Sequence, residues 1–588
     1  MENPDVEKTP EQLVSRKGGL RTIPFVIANE AFEKIASFGL LPNMILYLTM
    51  KYHFDAATGT SILFIWVATS NFMPILGAFL SDSYLGRYLV IGMATIVSLM
   101  GLIVLWLTAI LKQAKPPPCY EICIKPNAGQ IALLFTSFVL MSIGAGGIRP
   151  CSLAFGADQF DNPENPNNER ILHSFFSWYY ASVGISLMIS LTVIVYIQSE
   201  YGWVVGFGVP VGLMLVSVIA FFFGTNLYIK MKPNKSMFTG FAQVTAAAWK
   251  NRHIDFPLKD SNGCYCHGND SKLVAPTQRL RFLNKACIIQ NPEKDLNPDG
   301  SASDPWNLCT IQQVEQLKSL IKVLPMWSTG IVIAITISQH SFPVLQANTM
   351  NRQLIGNFSI PSGSFGVFGI FTLTIWIAIY DRILVPHITK YTNNPRGIPI
   401  KYRMGIGLFL SCLASAVSAL VEKKRRARAL EEGLAELPKA VVKMSAMWLV
   451  PQHCLSGLAE AFNAIGQIEF YYSQFPKNMA SIAVALFTFG MAIANLIASL
   501  IVTIVNHYSQ KGGKESWVST NFNKGHYDYY WWILTILSVA NLFYYIICSY
   551  FYGNFEEEKV WNKDEYEDED KNGAMIEMAK SKESPIIH

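Results

Sequence analysis

The chain has 588 residues, of which 51% are hydrophobic and only 15% charged. That balance, with a positive mean hydropathy, argues against a soluble multidomain protein. A net charge of +5, small for the length and scattered through the polar segments, forms no concentrated basic face, so no nucleic-acid partner is expected.

In chain order, residues 1–20 are polar and hold no apolar core ahead of a cleavage site, so no signal peptide is expected and the first span serves for targeting. A spanning helix needs about 20 mostly apolar residues. Windows of this kind fall near 23–50, 60–80, 88–111, 131–154, 172–197, 204–228, 317–342, 363–385, 403–421, 445–472, 480–505 and 530–553. Half precede a long polar stretch and half follow it, as in transporters built by duplication. The prediction is an all-α protein of the lipid bilayer with twelve transmembrane helices in two six-helix bundles. Its parts are a tail 1–22, a first bundle 23–228, a central loop 229–316, a second bundle 317–553 and an acidic tail 554–588.

An even number of spans puts both termini on one side, and Arg16, Lys17 and Arg21 assign that side to the cytoplasm. Arg382, Lys390, Arg396, Lys401 and Arg403 agree, whereas Lys423-Lys424-Arg425-Arg426 falls outside by the same count. That run is either a collar at a helix end or the mark of a missed span. Cys119 and Cys123 share an outer loop and are either bonded or free. Cys264-Tyr265-Cys266-His267 lacks a second ligand pair and belongs to a loop expected to be mobile, so no metal and no cofactor are expected. Of the glycosylation acceptors, Asn357 lies in an outward loop, while Asn234 and Asn269 lie in the cytoplasmic one.

Inside the first window stands Asn29-Glu30-Ala31-Phe32-Glu33-Lys34. Spacings of three and four put Glu30, Glu33 and Lys34 on one helical face. A charge at the centre of a spanning helix costs about 2.5 to 3.5 kcal/mol, so such groups are functional candidates, here for carrying protons. No glycine-rich nucleotide loop ending in Lys-Ser or Lys-Thr occurs, which argues against a nucleotide-driven pump. No nucleophile and base are arranged for an enzyme.

Three further segments carry a resemblance. Gly77-Ala78-Phe79-Leu80-Ser81-Asp82-Ser83-Tyr84-Leu85-Gly86-Arg87-Tyr88 resembles the loop signature of the major facilitator superfamily. Phe155-Gly156-Ala157-Asp158-Gln159-Phe160-Asp161 and Phe470-Tyr471-Tyr472-Ser473-Gln474-Phe475-Pro476 are similar to the two signatures of proton-coupled oligopeptide transporters. With the central loop, Gly147-Ile148-Arg149 and Gly457-Leu458-Ala459-Glu460-Ala461-Phe462, the chain resembles the plant nitrate/peptide transporter branch, in its first subfamily, over residues 20–555. The resemblance implies the major facilitator fold, with Asp82 and Arg87 as a conformational latch. It also implies proton coupling through Glu30, Glu33 and Lys34 on the first helix, Arg149 on the fourth and Glu460 on the tenth. Lys34 stands where most members have arginine, keeping the charge but losing the bidentate fork. Arg149 stands where lysine is usual, and arginine holds its proton.

Departures from the family pattern bear on substrate. Peptide carriers have tyrosines after the first-helix motif, but here the segment reads Ile35-Ala36-Ser37-Phe38-Gly39, and Phe38 offers no hydroxyl. The seventh-helix histidine of some nitrate carriers aligns with Thr336, one turn before His340. Thr329, Thr336, Gln339 and His340 are expected as a polar stripe on the substrate cavity, joined by Asn463 and Gln467 beside Glu460, although His340 near the helix end is equally placed to face the outer solvent. Val90 occupies the position of the phosphorylatable threonine that gives one relative two affinity modes; a single, low-affinity regime is expected. The expected function is a monomeric proton-coupled symporter of nitrate at the plasma membrane, with the vacuolar membrane open. The alternatives are the same carrier handling an organic anion such as a hormone or specialised metabolite, a peptide carrier, and a sensor without flux.

Overall fold

A computed structural model describes residues 18–19, 21–118, 124–160, 168–231, 237–256, 264–267, 275–298, 300–356, 358–392, 397–476 and 479–552. Cys119, Cys123, Asn234, Asn269, Asn357, the basic pair Arg16 and Lys17, and the acidic tail lie outside the described residues.

Helices stand at all twelve windows: α1 Ile23–Met50, α2 Ala56–Leu80, α3 Arg87–Ile110, α4 Ala128–Asp158, α5 Asn168–Ile189, α6 Gly202–Phe223, α7 Ile311–Ile337, α8 Val367–Ile379, α9 Ile400–Glu431, α10 Val450–Gln474, α11 Ala480–Ser509 and α12 Tyr527–Phe551. Two of them continue past a π turn, α5 into Val195–Glu200 and α8 into Val385–Thr392. Among the described residues, 10 helices are long and apolar enough to cross a membrane. The exceptions, α1 and α10, are long enough but carry Glu30, Glu33, Lys34, Glu460, Asn463 and Gln467, polar groups turned toward other helices.

The helix starts follow local chemistry. The Asp55 carboxylate accepts the Thr58 amide ahead of α2. Reciprocal capping boxes, Asn127 with Gln130 and Thr310 with Gln313, open α4 and α7. Between helices, small residues set the distances: a Cβ on Gly77 of α2 would lie 2.0 Å from the Gly146 carbonyl oxygen of α4, and one on Gly457 of α10 would lie 2.2 Å from the Gly369 oxygen of α8. Only glycine allows these backbones to touch.

One apolar core is built mainly from the first six helices around Leu40, Met44, Leu63, Leu105, Phe138 and Phe207. Another, around Met326, Ile333, Leu408 and Phe470, belongs to the last six. A third, around Ala498, Tyr527, Tyr530 and Leu534, also takes in Ala57 and Phe64 of α2. Here the two sets of helices join, at the end away from the central stretch. The Ala56 amide donates to the Thr520 hydroxyl at 3.1 Å, and the Ser61 and Thr503 hydroxyls are 3.5 Å apart.

The central stretch corrects the expectation of a mobile loop. Its amphipathic helix Met237–Lys250 and the turn Arg281–Cys287 close a separate core of Val244, Ala247, Leu283, Ala286, Cys309 and Val314 on the start of α7. Cys266 donates its amide to the Cys287 carbonyl at 2.8 Å, and Glu315 pairs with Lys318 at 2.6 Å while accepting the Thr277 amide and hydroxyl. Among the described residues no cluster of His, Cys, Asp and Glu is placed to hold a metal ion.

The run Lys423 to Arg426 lies within α9, as a helix-end collar. Arg425 is fully buried, with Nη2 2.8 Å from a Glu422 oxygen and Nη1 2.6 Å from Asn523 Oδ1, and Arg426 donates to the Gly525 carbonyl. Arg425 and Arg426 are thus used in tying α9 to the loop before α12.

Candidate functional site

Because α1 begins at Ile23 with Pro24 in its first turn, Glu30, Glu33 and Lys34 stand two to three turns inside it. Both glutamates are only 1% exposed. Lys34 Nζ is 3.2 Å from Glu30 Oε1 and 3.6 Å from Glu33 Oε2, and Arg149 Nε of α4 lies 3.9 Å from Glu33 Oε1. Ser37, one turn on from Glu33, donates its hydroxyl to Glu33 Oε1 at 2.5 Å. Tyr179 of α5 stands beside Glu30, and Ser217 of α6 donates to the Asn29 side chain at 2.7 Å. Phe38 offers its ring to both cations, 5.5 Å from Lys34 and 5.2 Å from Arg149.

The cluster is incompletely satisfied. Glu30 Oε2, Glu33 Oε2 and Arg149 Nε are buried without a hydrogen bond. At 3.9 Å the Arg149 contact is charge attraction rather than a hydrogen bond. Two buried carboxylates held this loosely by two partly exposed cations can exchange partners when one takes a proton.

Arg149 also lines a cavity of about 240 Å³ between the two sets of helices. Its polar lining is Ser37, Ser70, Asn71, Ser98, Arg149, Ser338, His340 and Thr488; Phe38, Trp66, Met141 and Phe487 make much of the rest. His340 is exposed, and the space it meets is this cavity rather than outer solvent. Close to it stands His453 of α10, whose Nε2 is buried and unpaired.

A second cavity, of about 80 Å³, is lined by Glu460, Asn463 and Gln467 with Trp327 and Gly330. Asn463 donates to the Met404 carbonyl at 3.0 Å and accepts from Gln467 at 2.5 Å, so these amides are committed to the protein. A Cβ on Gly330 would fall 2.3 Å from Gln467 Nε2; the glycine makes room for the amide.

Thr336 and Gln339, expected on the substrate cavity, line neither space. The Thr336 hydroxyl is 2.7 Å from that of Ser411 on α9, and Gln339 accepts from Tyr530 of α12 at 3.0 Å. Helix α7 ends at Ile337 with Ser338 as its cap, so helical spacing does not carry the stripe from Thr336 through to His340. Thr329 is buried too, with its hydroxyl on the Met326 carbonyl.

The latch also differs in its partner. Arg87 binds both carboxylate oxygens of Asp158 at 2.6 and 2.7 Å, while Asp82 sits nearby in the π turn Ser81–Leu85. A corresponding ion pair joins Arg403 at the start of α9 to Glu469 near the end of α10. The sequence reading missed both acids, although Asp158 lies inside a quoted signature. Ser37 was findable from its spacing of four from Glu33; Asn71, Ser98 and His453 had no local signal.

Buried charges beside a cavity, within helices suited to lipid, suit a membrane transport protein. The sequence pattern of the POT family matches residues 88–518. The NRT1/PTR FAMILY 1.2 protein of Arabidopsis thaliana is 54% identical over 567 residues, covering 94% of this chain and 93% of its own length. NRT1/PTR FAMILY 1.1 of the same plant is also 54% identical, covering 94% and 96%. In three dimensions the POT family transporter PepTSo aligns with 90% of this chain and 98% of its own, with a TM-score of 0.62 at 18% identity, a likeness of fold. The chain belongs to the POT family, and its similarity to the two Arabidopsis proteins puts it with the plant NRT1/PTR branch.

Proposed function

We propose that this protein is a proton-coupled symporter of a monovalent anion, nitrate first, working by alternating access. The observation that carries the reading is the shared position of Arg149, which is both an ion-pair partner of buried Glu33 and a wall of the cavity. Protonation of Glu33 or Glu30 weakens its hold on Arg149 and Lys34, and the released positive charge receives the anion. Anion binding favours rocking of two bundles, residues 23–228 and 317–553, and loss of the protons on the inner side re-forms the pairs. Protons are needed because moving one negative charge into a negative interior costs about 2.3 kcal/mol per 100 mV. The joined end at Ser61, Thr503 and Thr520 fits a carrier closed to the outside and open toward the central stretch. Glu460 supplies a further proton site, while Asp82, Arg87 and Asp158 hold the inner ends of the helices.

In this reading the protein works as a monomer in the plasma membrane with both termini cytoplasmic, carries sugar on Asn357, and, with Val90 buried and unmodifiable, has one low-affinity regime. A second reading, an organic anion as substrate, draws on the apolar walls Phe38, Trp66, Met141 and Phe487, which nitrate alone leaves unused.

The deciding experiment is labelled nitrate uptake with membrane current, at acidic and neutral outer pH, in cells expressing the chain. Acid-stimulated uptake with inward current is expected. Absence of nitrate flux despite surface expression, with flux of a competing organic carboxylate, would transfer the same mechanism to the second reading; no acid-stimulated flux of either would overturn it.

A further inference from the structure

The two cavities have a wall in common. Phe487 and Met491, one turn apart on α11, line both the larger space that holds Arg149 and His340 and the smaller one that holds Glu460. Thr488 faces the larger space and Gly490 the smaller, so this face of α11 runs along the boundary. The helix is fixed there. Trp327 of α7 donates its indole N–H to the Leu486 carbonyl at 2.8 Å, and a Cβ on Gly490 would meet the same indole nitrogen at 3.0 Å. Neither shared residue carries a polar group, so the boundary passes no proton through its own side chains.

We infer that Phe487, backed by Met491, is a partition between the anion cavity and the carboxylate of Glu460, and that it sets both the size of anion accepted and the tightness of coupling. The inference rests on the reading of the larger cavity as the substrate site and Glu460 as a proton site. Its physical basis is that a transported anion and an ionised carboxylate repel each other across a short gap. A water-filled opening between the spaces would also let Glu460 exchange protons with the anion cavity whether or not an anion is bound. An apolar ring does not screen that repulsion, since it has a lower dielectric than water, but it keeps the anion out of the smaller space and closes the water route, leaving proton exchange at Glu460 governed by how α7, α10 and α11 pack. The smaller space, about 80 Å³ against about 240 Å³, extends the larger one if the two are joined, and so admits a longer organic anion.

The test compares the full chain with Phe487→Ala, Phe487→Leu and Met491→Ala at matched surface expression. It reads substrate-free acid-induced current, charge moved per labelled anion, and competition by carboxylates of increasing ring size. Phe487→Ala is expected to raise the substrate-free current several-fold, to increase charge per anion, and to let bulky carboxylates compete about tenfold better. Met491→Ala moves the same readouts less, and Phe487→Leu, which keeps the apolar bulk, stays near the parent. If the parent chain couples protons to anions and both alanine variants keep its ratio and size ranking, the partition is wrong. If the parent chain itself shows no acid-stimulated flux, the symport reading fails instead. Should Phe487→Ala not reach the surface, Met491→Ala decides alone.

Discussion

Glu33 is gripped by Lys34, Arg149 and Ser37 at once, whereas no described residue pairs with Glu460. The two carboxylates therefore test coupling differently. Glu33→Gln removes the charge that restrains both cations, leaving Lys34 on Glu30 and Arg149 with no ion-pair partner among the described residues, while Glu460→Gln removes a proton site without breaking any ion pair. Both variants are expected to reach the surface and to exchange labelled against unlabelled anion, yet to lose acid-driven accumulation. Accumulation ratios measured beside exchange rates check this, and normal concentration of the anion by both variants would remove these residues from the coupling scheme.

On the scale of elements, α9 shows how a charge run is used for anchoring. Arg425 lies fully out of solvent with Glu422, whose other oxygen accepts from Gln346 at 2.8 Å. Removing one partner of such a pair costs about 3 to 5 kcal/mol because the other charge is left buried. Arg425→Met is expected to lower the melting temperature of the detergent-solubilised protein. The double change Arg425→Met with Glu422→Gln should recover part of the loss, since neither leaves a lone charge. A melting curve for each variant decides, and an unchanged curve for Arg425→Met would contradict the anchoring role. The central segment offers a parallel case: Phe241, Val244 and Ala248 recur at helical spacing in the sequence, but only their contact with Cys287, Cys309 and Val314 makes that stripe a core.

At the scale of the whole molecule, the ion pairs Arg87 with Asp158 and Arg403 with Glu469 occupy matching places on α3 and α4 and on α9 and α10, at the end facing the central stretch. The opposite end is joined across the two sets of helices by neutral hydroxyls and apolar packing. A thiol cross-link between Ser61→Cys and Thr503→Cys should hold that end shut and abolish uptake, and reduction should restore it. Flux before and after reductant, with each single-cysteine chain as control, checks the expectation; full transport by the cross-linked protein would show that this end need not open.

The sequence by itself determined where the helices lie, that most of them suit lipid, and that a charged face on the first helix has work to do. Apolarity and helical periodicity are local properties, carried by each segment whatever surrounds it. The family signatures were also local, as runs of adjacent residues. Only the tertiary structure decided which neighbour each polar group meets: Arg87 binds Asp158 rather than Asp82, Thr336 faces Ser411 rather than the cavity, and His340 turns inward once α7 has ended. The division of the interior by Phe487 was equally beyond local reading, because a wall shared by two cavities is a relation among several helices. Partner choice depends on which helix comes alongside and at what rotation, and spacing along one segment does not contain that information.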